Sequence, residues 1–500
     1  MYGHNPADLK YRFQRVSPIM VSPHDPNIVY HASQYLHMTK DEGLTWETIS
    51  PDLTAFEEDK QVISGSPITR DITGEEFYST IYAITESPLK KGLIWTGAND
   101  GPVFVTKNGG ENWTNVSPAD LKPGGRVQTV EASGHNPAKA FFAVYRYLLD
   151  DWSPYIYKTE DYGANWTLIV NGIPENEPVR VIREDPRKEG LLYAGTESGV
   201  YVSFNDGETW DRFQYNLPLV PVTDIKIFRN DLILSTMGRS FWILNDISPL
   251  RYFDRISDGG TNFLFQPGTT FRSPSISSVP ISYYLAEDVD SLELRIEDAR
   301  GEDIMKFKSE GIGILGNKKG FNRISWDMRT YGPRRGRGRA SRGPKVIPAR
   351  YSVLLKINNV EYKTSIEVLP DPMLVQDGLV FSDYEEQYNL SLDINKLISE
   401  ASSLTKSIEN DIEEYIKKDE SGKRLTKKDK QNLSELKSLK SMLVTNSGAY
   451  PQAKLNDQIR YLSSMVSGAD QKPGNQAYIR FKELKDNLLT IQDTFKKLKH

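Results

Sequence analysis

The side chains best suited to bind a ligand lie in the first half of the 500-residue chain, near predicted strands. They combine arginine, which pairs with carboxylates, with tyrosine and tryptophan, and these residue types dominate the hot spots of protein interfaces. For Tyr78 and Trp242, packing between neighbouring sheets is at least as good an explanation. The candidate ligand-binding set is Arg70, Asp71, Tyr78, Arg126, Tyr145, Arg146, Arg180, Arg239 and Trp242.

Two hydrolytic mechanisms would use residues of this kind. One needs three arginines on a substrate carboxylate, a tyrosine nucleophile with a supporting glutamate, and an acid; the other needs two carboxylates about 5 to 9.5 Å apart. The sequence does not determine whether any of these residues converge, and each carboxylate is better explained by a solvated or capping role. No catalytic residue is therefore predicted. The arginines are Arg70, Arg126, Arg146, Arg180, Arg183 and Arg239, and the carboxylates are Asp71, Asp100, Glu131, Glu197 and Asp224.

Other catalytic and cofactor sites lack their signatures. The chain has no cysteine, which excludes disulfides, thiolate metal sites and cysteine nucleophiles. His24, His31 and His37 lie close together, but no carboxylate accompanies them at metal-ligand spacing. A glycine-rich phosphate loop, a serine elbow and a dinucleotide fingerprint are all missing from the sequence. We therefore predict no cofactor and no metal.

Composition predicts a globular protein with β-structure first and helices last. Tyrosine (26) and tryptophan (8) are plentiful, whereas leucine-rich runs are confined to the C-terminal quarter. The net charge of −5 gives no electrostatic reason to expect a nucleic-acid partner. No apolar run of about 18 residues occurs, and the first residues lack a signal-peptide pattern, so we expect neither a membrane span nor a signal peptide.

One motif of eight residues occurs four times, at residues 39–46, 106–113, 159–166 and 203–210. Each copy follows an apolar run typical of a strand, and a fifth such run, at residues 232–236, has no motif after it. The positions that define the copies are Asp41, Gly43 and Trp46; Asn108, Gly110 and Trp113; Asp161, Gly163 and Trp166; and Asn205, Gly207 and Trp210.

The motif predicts a hairpin turn. The Asp or Asn side chain accepts hydrogen bonds from turn amides, and the glycine takes a positive φ that other residues resist. The tryptophan then begins the returning strand and packs against the neighbouring sheet. Each unit is therefore expected to be an antiparallel sheet of about four strands, and the motif residues are expected to be structural.

These residues resemble the Asp-box, or BNR repeat, of sialidases, xyloglucan hydrolases, sortilin-type receptors and photosystem assembly factors. The stretches 21–27 and 236–246 are more narrowly similar to bacterial proteins named for likeness to sortilin or to glycosyl hydrolases. The resemblance implies a β-propeller with its boxes at the periphery, and further blades upstream. It also implies a bacterial periplasm, outer surface or secreted setting.

We therefore predict a mainly β chain with four parts. Residues 1–250 form about five blades, which could close into a ring but which the resemblance favours as part of an incomplete propeller. Residues 251–280 are a linker or packing segment. Residues 281–372 are expected to form an Ig-like β-sandwich, and residues 378–500 an α-helical bundle. An arginine-rich stretch at 334–345 could grip phosphates or acidic glycans, although a solvated loop explains it better.

The functional prediction is a sortilin-like propeller that binds a peptide, protein or glycan without catalysis. A glycoside hydrolase acting in the propeller cleft is the first alternative. The second is one structural half of a larger propeller assembly, with the other blades supplied by a missing region or a second chain.

Overall fold

The computed structural model describes residues 4–63, 65, 77–256, 260–276, 278–309, 315–332, 342–421, 424–448 and 450–499. The chain divides into two compact units, Met1–Phe253 and Asp254–His500. The first contains small antiparallel sheets, and the second contains further sheets followed by helices. A mainly β fold with a C-terminal helical region is thereby confirmed.

Five sheets follow one another in the described part of the first unit, and in each the strands pair in chain order. The first sheet comprises β1 Ile19–Val21, β2 Val29–Ala32, β3 Leu36–Thr39 and β4 Glu47–Thr48; the second β5 Ile81–Glu86, β6 Ile94–Ala98, β7 Val103–Thr106 and β8 Thr114–Asn115; the third β9 Arg126–Ala132, β10 Ala140–Tyr145, β11 Ile156–Thr159 and β12 Thr167–Leu168; the fourth β13 Val179–Glu184, β14 Leu192–Thr196, β15 Val200–Ser203 and β16 Asp211–Arg212; the fifth β17 Val222–Phe228, β18 Asp231–Thr236 and β19 Phe241–Leu244.

Successive sheets pack face to face, and each junction has its own apolar core. Strands β5, β9, β13 and β17, the first of their sheets, pack against one another in succession. Among the described residues no comparable packing joins β17 to β1, so the sheets form an open series of propeller-like blades. From the first junction to the fourth, the cores contain Tyr30 and Ile94; Trp95 and Phe142; Phe141 and Leu192; and Tyr193 and Leu234.

The repeated motif forms the hairpin between the third and fourth strands. In the first copy Asp41 accepts hydrogen bonds from the Thr45 amide (2.9 Å), the Thr45 hydroxyl (2.6 Å) and the Thr39 hydroxyl (2.8 Å). These bonds hold the pKa of Asp41 below its ordinary value. Gly43 has a φ of +86°, which a side chain would strain. In each of the other three copies, the Asp or Asn side chain likewise accepts a hydrogen bond from the backbone amide four residues later, at 2.9 to 3.1 Å.

The second unit begins with a sandwich of two sheets around one core, which contains Ile281, Leu294 and Val353. The segment 251–280 supplies two short strands to these sheets, and the first of them, β20, pairs with β22. The other, β21, pairs in parallel with β29. The elements are α1 Phe253–Ile256, β20 Phe263–Leu264, β21 Thr270–Arg272, β22 Val279–Leu285, β23 Leu292–Glu297, β24 Asp303–Lys308, β25 Gly320–Trp326, β26 Arg329–Tyr331, β27 Arg342–Lys345, β28 Ala349–Ile357 and β29 Val360–Pro370. Most of the arginine-rich stretch, residues 334–341, lies outside the described residues.

The helical region packs around the longest helix, α3, against which α4, α5 and α6 all lie. Its core contains leucine and isoleucine at helical spacing, as the sequence predicts. Arg272 joins the sandwich to the helices, because its guanidinium lies 2.9 Å from Asp470 and donates to Gln387 at 2.5 Å. The helices are α2 Pro372–Gln376, α3 Phe381–Glu420, α4 Lys427–Leu443, α5 Leu455–Ser467 and α6 Asn475–Lys499.

Candidate functional site

Three of the predicted ligand-binding residues meet at one end of the third and fourth sheets. Strand direction alternates in an antiparallel sheet, so the first strand begins at the end where the second strand finishes. We call this the upper end of the sheets. Arg126 begins β9, Tyr145 ends β10, and Arg180 is the second residue of β13. All three side chains are therefore at the upper end.

The first strands of the second to fifth sheets each carry a β-bulge near this end. In the pairing with the second strand, the residues that lack an opposite partner are Tyr82, Gln128, Arg180 and Thr223. Such bulges redirect side chains and are common beside functional sites. In the first sheet, β1 and β2 pair without a shift in register.

Arg126 is stacked against two tyrosines. Its guanidinium carbon lies 4.7 Å from the ring centre of Tyr82 and 5.5 Å from that of Tyr145. The side chain is half-buried, and its Nε is buried with no hydrogen-bond acceptor among the described residues. Within the same residues no carboxylate forms an ion pair with it. Arg126 therefore presents an uncompensated positive charge between aromatic faces.

Arg180 differs, because its charge is matched. Its Nε donates to Glu197 at 2.5 Å, and its Nη2 donates to the Tyr145 hydroxyl at 2.7 Å. The Tyr145 hydroxyl in turn donates to Glu197. Burial and the Glu197 hydrogen bond raise the pKa of Tyr145, while Arg180 opposes them, so the phenol stays protonated. We call Tyr82, Arg126, Tyr145, Arg180 and Glu197 the arginine–tyrosine cluster.

Two other predicted residues have structural partners. Arg146 is 6% exposed; its Nη1 donates to the carbonyls of residues 122–124 at 2.6 to 3.2 Å, and its Nε lies 2.9 Å from Asp151. The Tyr78 hydroxyl donates to Glu57 at 3.0 Å, and burial followed by this hydrogen bond raises its pKa. Arg146 supports the loop beside the cluster and offers no free charge.

The remaining predicted residues are not brought into the cluster. Trp242 lies in β19, packs against the core between the fourth and fifth sheets, and donates its indole N–H to the Arg239 carbonyl at 3.0 Å. Arg239 lies in the β18–β19 hairpin. Arg70 and Asp71 fall outside the described residues.

A second charged group lies further along the first strands. Arg183 in β13 lies 3.4 Å from Glu131 in β9 and 2.7 Å from Asp224 in β17. Burial raises the pKa of Glu131, and the charge of Arg183 opposes this. The Asp224 side chain is 60% exposed. One arginine thus joins two carboxylates from different sheets.

Neither metal sites nor membrane helices are found in the part of the chain that the structure describes. No three histidine, aspartate or glutamate side chains are grouped so that they could hold a metal ion. None of the helices there combines the length and the apolar character that crossing a bilayer requires.

Nothing in the sequence singles out Tyr82, although it completes the aromatic contacts of Arg126. Tyr82 is the second residue of its strand, as Arg180 is of its own, and both residues lie at a β-bulge. A bulge is a feature of strand pairing and leaves no fixed residue type in the sequence. In the sequence Glu197 is only a carboxylate near a predicted strand, whereas in the structure it is the partner of Arg180.

Comparisons with known proteins give no family assignment. No protein-family model matches the chain, and no curated protein matches it. Among solved structures, a GH74 xyloglucanase from Xanthomonas campestris is 11% identical over 57% of this chain and 43% of its own, with a TM-score of 0.35. PorZ, a surface component of the type-IX secretion system of Porphyromonas gingivalis, is 13% identical over 70% of this chain and 51% of its own, with a TM-score of 0.34.

A third solved structure, YCF48 bound to a D1 peptide, is 16% identical over 54% of this chain and 78% of its own, with a TM-score of 0.29. The chain spans less than half of the xyloglucanase and 45% of an ancestral GH74 enzyme. At these TM-scores the likenesses carry no argument about what the chain does.

Proposed function

We propose that this protein binds, without catalysis, a protein segment that carries a carboxylate, and that it does so at the arginine–tyrosine cluster. The observation that supports this is the state of Arg126, whose guanidinium is stacked on Tyr82 and Tyr145 and has no acidic partner among the described residues. The resemblance of residues 21–27 and 236–246 to bacterial proteins named for likeness to sortilin or to glycosyl hydrolases favours a periplasmic, outer-surface or secreted setting.

The neighbours of Arg126 favour a carboxylate ligand. Guanidinium binds carboxylate through two parallel hydrogen bonds, and these strengthen where water is partly excluded. Arg180 and Glu197 neutralise each other, so an incoming acid meets the charge of Arg126 alone. Tyr145 is 4% exposed and is fixed by two hydrogen bonds, which pre-organises the aromatic wall.

The same geometry disfavours catalysis by the cluster. A tyrosine nucleophile needs to lose its proton, and the raised pKa of Tyr145 opposes that loss. Glu197, the base it would use, is already paired with Arg180 at 2.5 Å. Arginine with tyrosine is instead the composition of a protein-binding hot spot.

The ligand chemistry is tested with two labelled hexapeptides, one alternating glycine with glutamate and the other alternating glycine with glutamine. Fluorescence anisotropy at about 50 mM salt keeps exposed charges weakly screened. We expect the glutamate peptide to bind at least about tenfold more tightly than the glutamine peptide. Equal binding of the two, or binding of an acidic oligosaccharide in place of both, would contradict the proposal.

The Glu131–Arg183–Asp224 group supports a second candidate, a glycoside hydrolase. A half-buried carboxyl with a raised pKa beside an exposed carboxylate resembles the acid and base pair that such enzymes use. It ranks second because Arg183 already pairs with both acids. A reducing-end assay on xyloglucan and a panel of β-glucans, with Glu131→Gln as control, decides it. Release of sugar by the parent chain that the variant loses would establish the enzyme.

A further inference from the structure

Each junction between the four-stranded sheets is fastened by the same hydrogen bond. The indole N–H of the motif tryptophan donates to a backbone carbonyl of the preceding sheet. The pairs are Trp113 with Ile49 at 3.0 Å, Trp166 with Val116 at 2.6 Å, and Trp210 with Ile169 at 2.8 Å. The accepting residue always comes directly after the fourth strand of its sheet. The bond is thus a repeated part of sheet-to-sheet docking.

The motif glycine lies against the same residue. A Cβ added to Gly110 would come within 2.5 Å of the Ile49 carbonyl oxygen, and one added to Gly163 within 2.7 Å of Val116 Cβ. At Gly207 the added Cβ would lie 2.5 Å from Ile169 Cδ1. Glycine and tryptophan together therefore form a socket for a branched residue and its carbonyl.

The first sheet has this socket with nothing in it. The Trp46 indole has no acceptor among the described residues, and the residue is 45% exposed, whereas Trp113 and Trp166 are half-buried and Trp210 is 3% exposed. A Cβ added to Gly43 would meet only Trp46 itself, at 3.8 Å. The motif has the same turn geometry as the other three, so what differs is the absence of a described sheet on this side.

The strands beside Trp46 are open on the same face. Ile19 and Val21 in β1 are 71% and 54% exposed, and their partners in β2 are His31 and Val29. In β2 buried and half-buried residues alternate, whereas every residue of the second strands of the next three sheets is buried. The N-terminal segment covers part of this face, because Phe13 stacks on His31 at 5.5 Å and the ring of Tyr11 lies 5.1 Å from that of His37, the partner of His31 in β3. We call the side formed by Ile19, Val21, Val29, His31 and Trp46 the outer face of the first sheet.

We propose that the outer face of the first sheet docks a four-stranded propeller blade of a partner polypeptide, whose fourth strand is followed by isoleucine or valine. The three internal junctions define this chemistry, because each joins the same two surfaces. The branched residue would fill the space against Gly43, and its carbonyl would accept the Trp46 N–H. The proposal does not depend on the ligand of the arginine–tyrosine cluster.

A second copy of this chain does not meet the requirement. Each of its four-stranded sheets already has the matching face covered by the next sheet. Its fifth sheet has exposed apolar residues, among them Phe228 and Ile243, but comprises three strands in the described part of the chain. It therefore lacks the residue that follows a fourth strand. The occupant has to be a different blade.

The test provides such a blade as a probe. A copy of residues 77–118, the second sheet with Val116, is fused ahead of the full chain through a flexible Gly/Ser linker. Hydroxyl-radical footprinting then compares oxidation of Trp46 with that of Trp113 in the original sheet. In the unfused chain we expect Trp46 to be oxidised several-fold faster. In the fusion we expect its rate to fall to that of Trp113.

Two controls keep the result decisive. A fusion whose copy carries Trp95→Asp and Val105→Asp loses the apolar docking face, and should leave Trp46 as reactive as in the unfused chain. A second fusion uses a copy of residues 124–173, the third sheet with Ile169. Failure of both parent copies to protect Trp46 would overturn the proposal. Light scattering should give a monomer near 56.8 kDa; a dimer that Trp46→Ala dissociates would overturn it in favour of a second copy.

Discussion

The indole N–H of Trp113 donates a 3.0 Å hydrogen bond to the backbone carbonyl of Ile49, 64 residues earlier in the chain. This bond crosses the junction of the first and second sheets, and its equivalents cross the next two junctions. A short local motif thereby makes a long-range contact. The motif therefore joins neighbouring sheets and also forms a turn within one sheet.

The two tryptophans make a matched pair for substitution. Trp113→Phe keeps an aromatic ring but removes the N–H and leaves the Ile49 carbonyl without its donor, so we expect the free energy of unfolding to fall by about 1 to 2 kcal/mol. Trp46→Phe removes no hydrogen bond of the described residues and should change it by less than about 0.5 kcal/mol. Urea unfolding followed by circular dichroism measures both. Equal losses would show that the hydrogen bond has no energetic role.

The motif glycines give a second comparison. Gly43→Ala should cost about 1 to 2 kcal/mol, because the alanine has to adopt a φ of +86°. Gly110→Ala has a similar backbone strain and also drives a Cβ to within 2.5 Å of the Ile49 carbonyl. We expect it to cost at least about 1 kcal/mol more. Thermal unfolding of the two variants checks this order, and a reversed order would contradict the packing described for the junction.

Substitution of Arg146 should lower the stability of the fold, whereas substitution of Arg126 should mainly affect ligand binding. Arg146→Gln removes a buried guanidinium from three carbonyls and Asp151, and we expect a loss of about 2 to 4 kcal/mol. Arg126→Gln removes no described hydrogen bond but loses the stacking on Tyr82 and Tyr145, and should cost about 1 kcal/mol. Chemical denaturation of both variants is the measurement. A large loss for Arg126→Gln would mean that this residue is structural.

His37 should make the first sheet sensitive to mild acid. Its ring bonds to the Ser33 hydroxyl at 2.9 Å and the Thr48 hydroxyl at 3.1 Å, next to Tyr11, Tyr35 and His31. Burial, followed by the charge of His31, lowers its pKa, so the unfolded chain takes up the proton first. The stabilisation is therefore complete above about pH 6.5 and declines as the pH falls further.

The measurement is the melting temperature at about pH 7.5 and about pH 5, with His37→Gln as the control. The parent chain should lose more than the variant does over this range, because glutamine keeps the hydrogen-bonding capacity but has no proton to gain in this range. Equal losses in the two proteins would assign the acid sensitivity to other groups.

The sheets of the first unit were predictable because the repeated motif encodes its own turn. The contacts of Asp41 and the positive φ of Gly43 lie within one eight-residue motif, so they do not depend on distant parts of the chain. The arginine–tyrosine cluster was predictable only in its residue types. The contact of Arg126 with Tyr82 and Tyr145 depends on packing between separate sheets and on the bulge at Tyr82, neither of which leaves a local pattern.

Two assignments show the limit of residue type as a guide. Arg146 has the same chemistry as Arg126, but the carbonyls of residues 122–124 engage its charge. Pro123 and Gly124 indicate a turn there, but no local pattern shows that its carbonyls meet Arg146. Trp46 belongs to a motif that matches the other three in sequence. Its exposure follows from the absence of a described sheet next to it, which only the structure reveals.

The most direct test of the proposed function is the binding of the labelled glycine–glutamate hexapeptide to three proteins: the parent chain, Arg126→Gln, and Arg212→Gln as the control. Arg212 lies on the exposed strand β16 of the fourth sheet. We predict that Arg126→Gln weakens binding by about tenfold or more while Arg212→Gln leaves it within about twofold. Unchanged binding in Arg126→Gln, or equal losses in the two variants, would contradict the account.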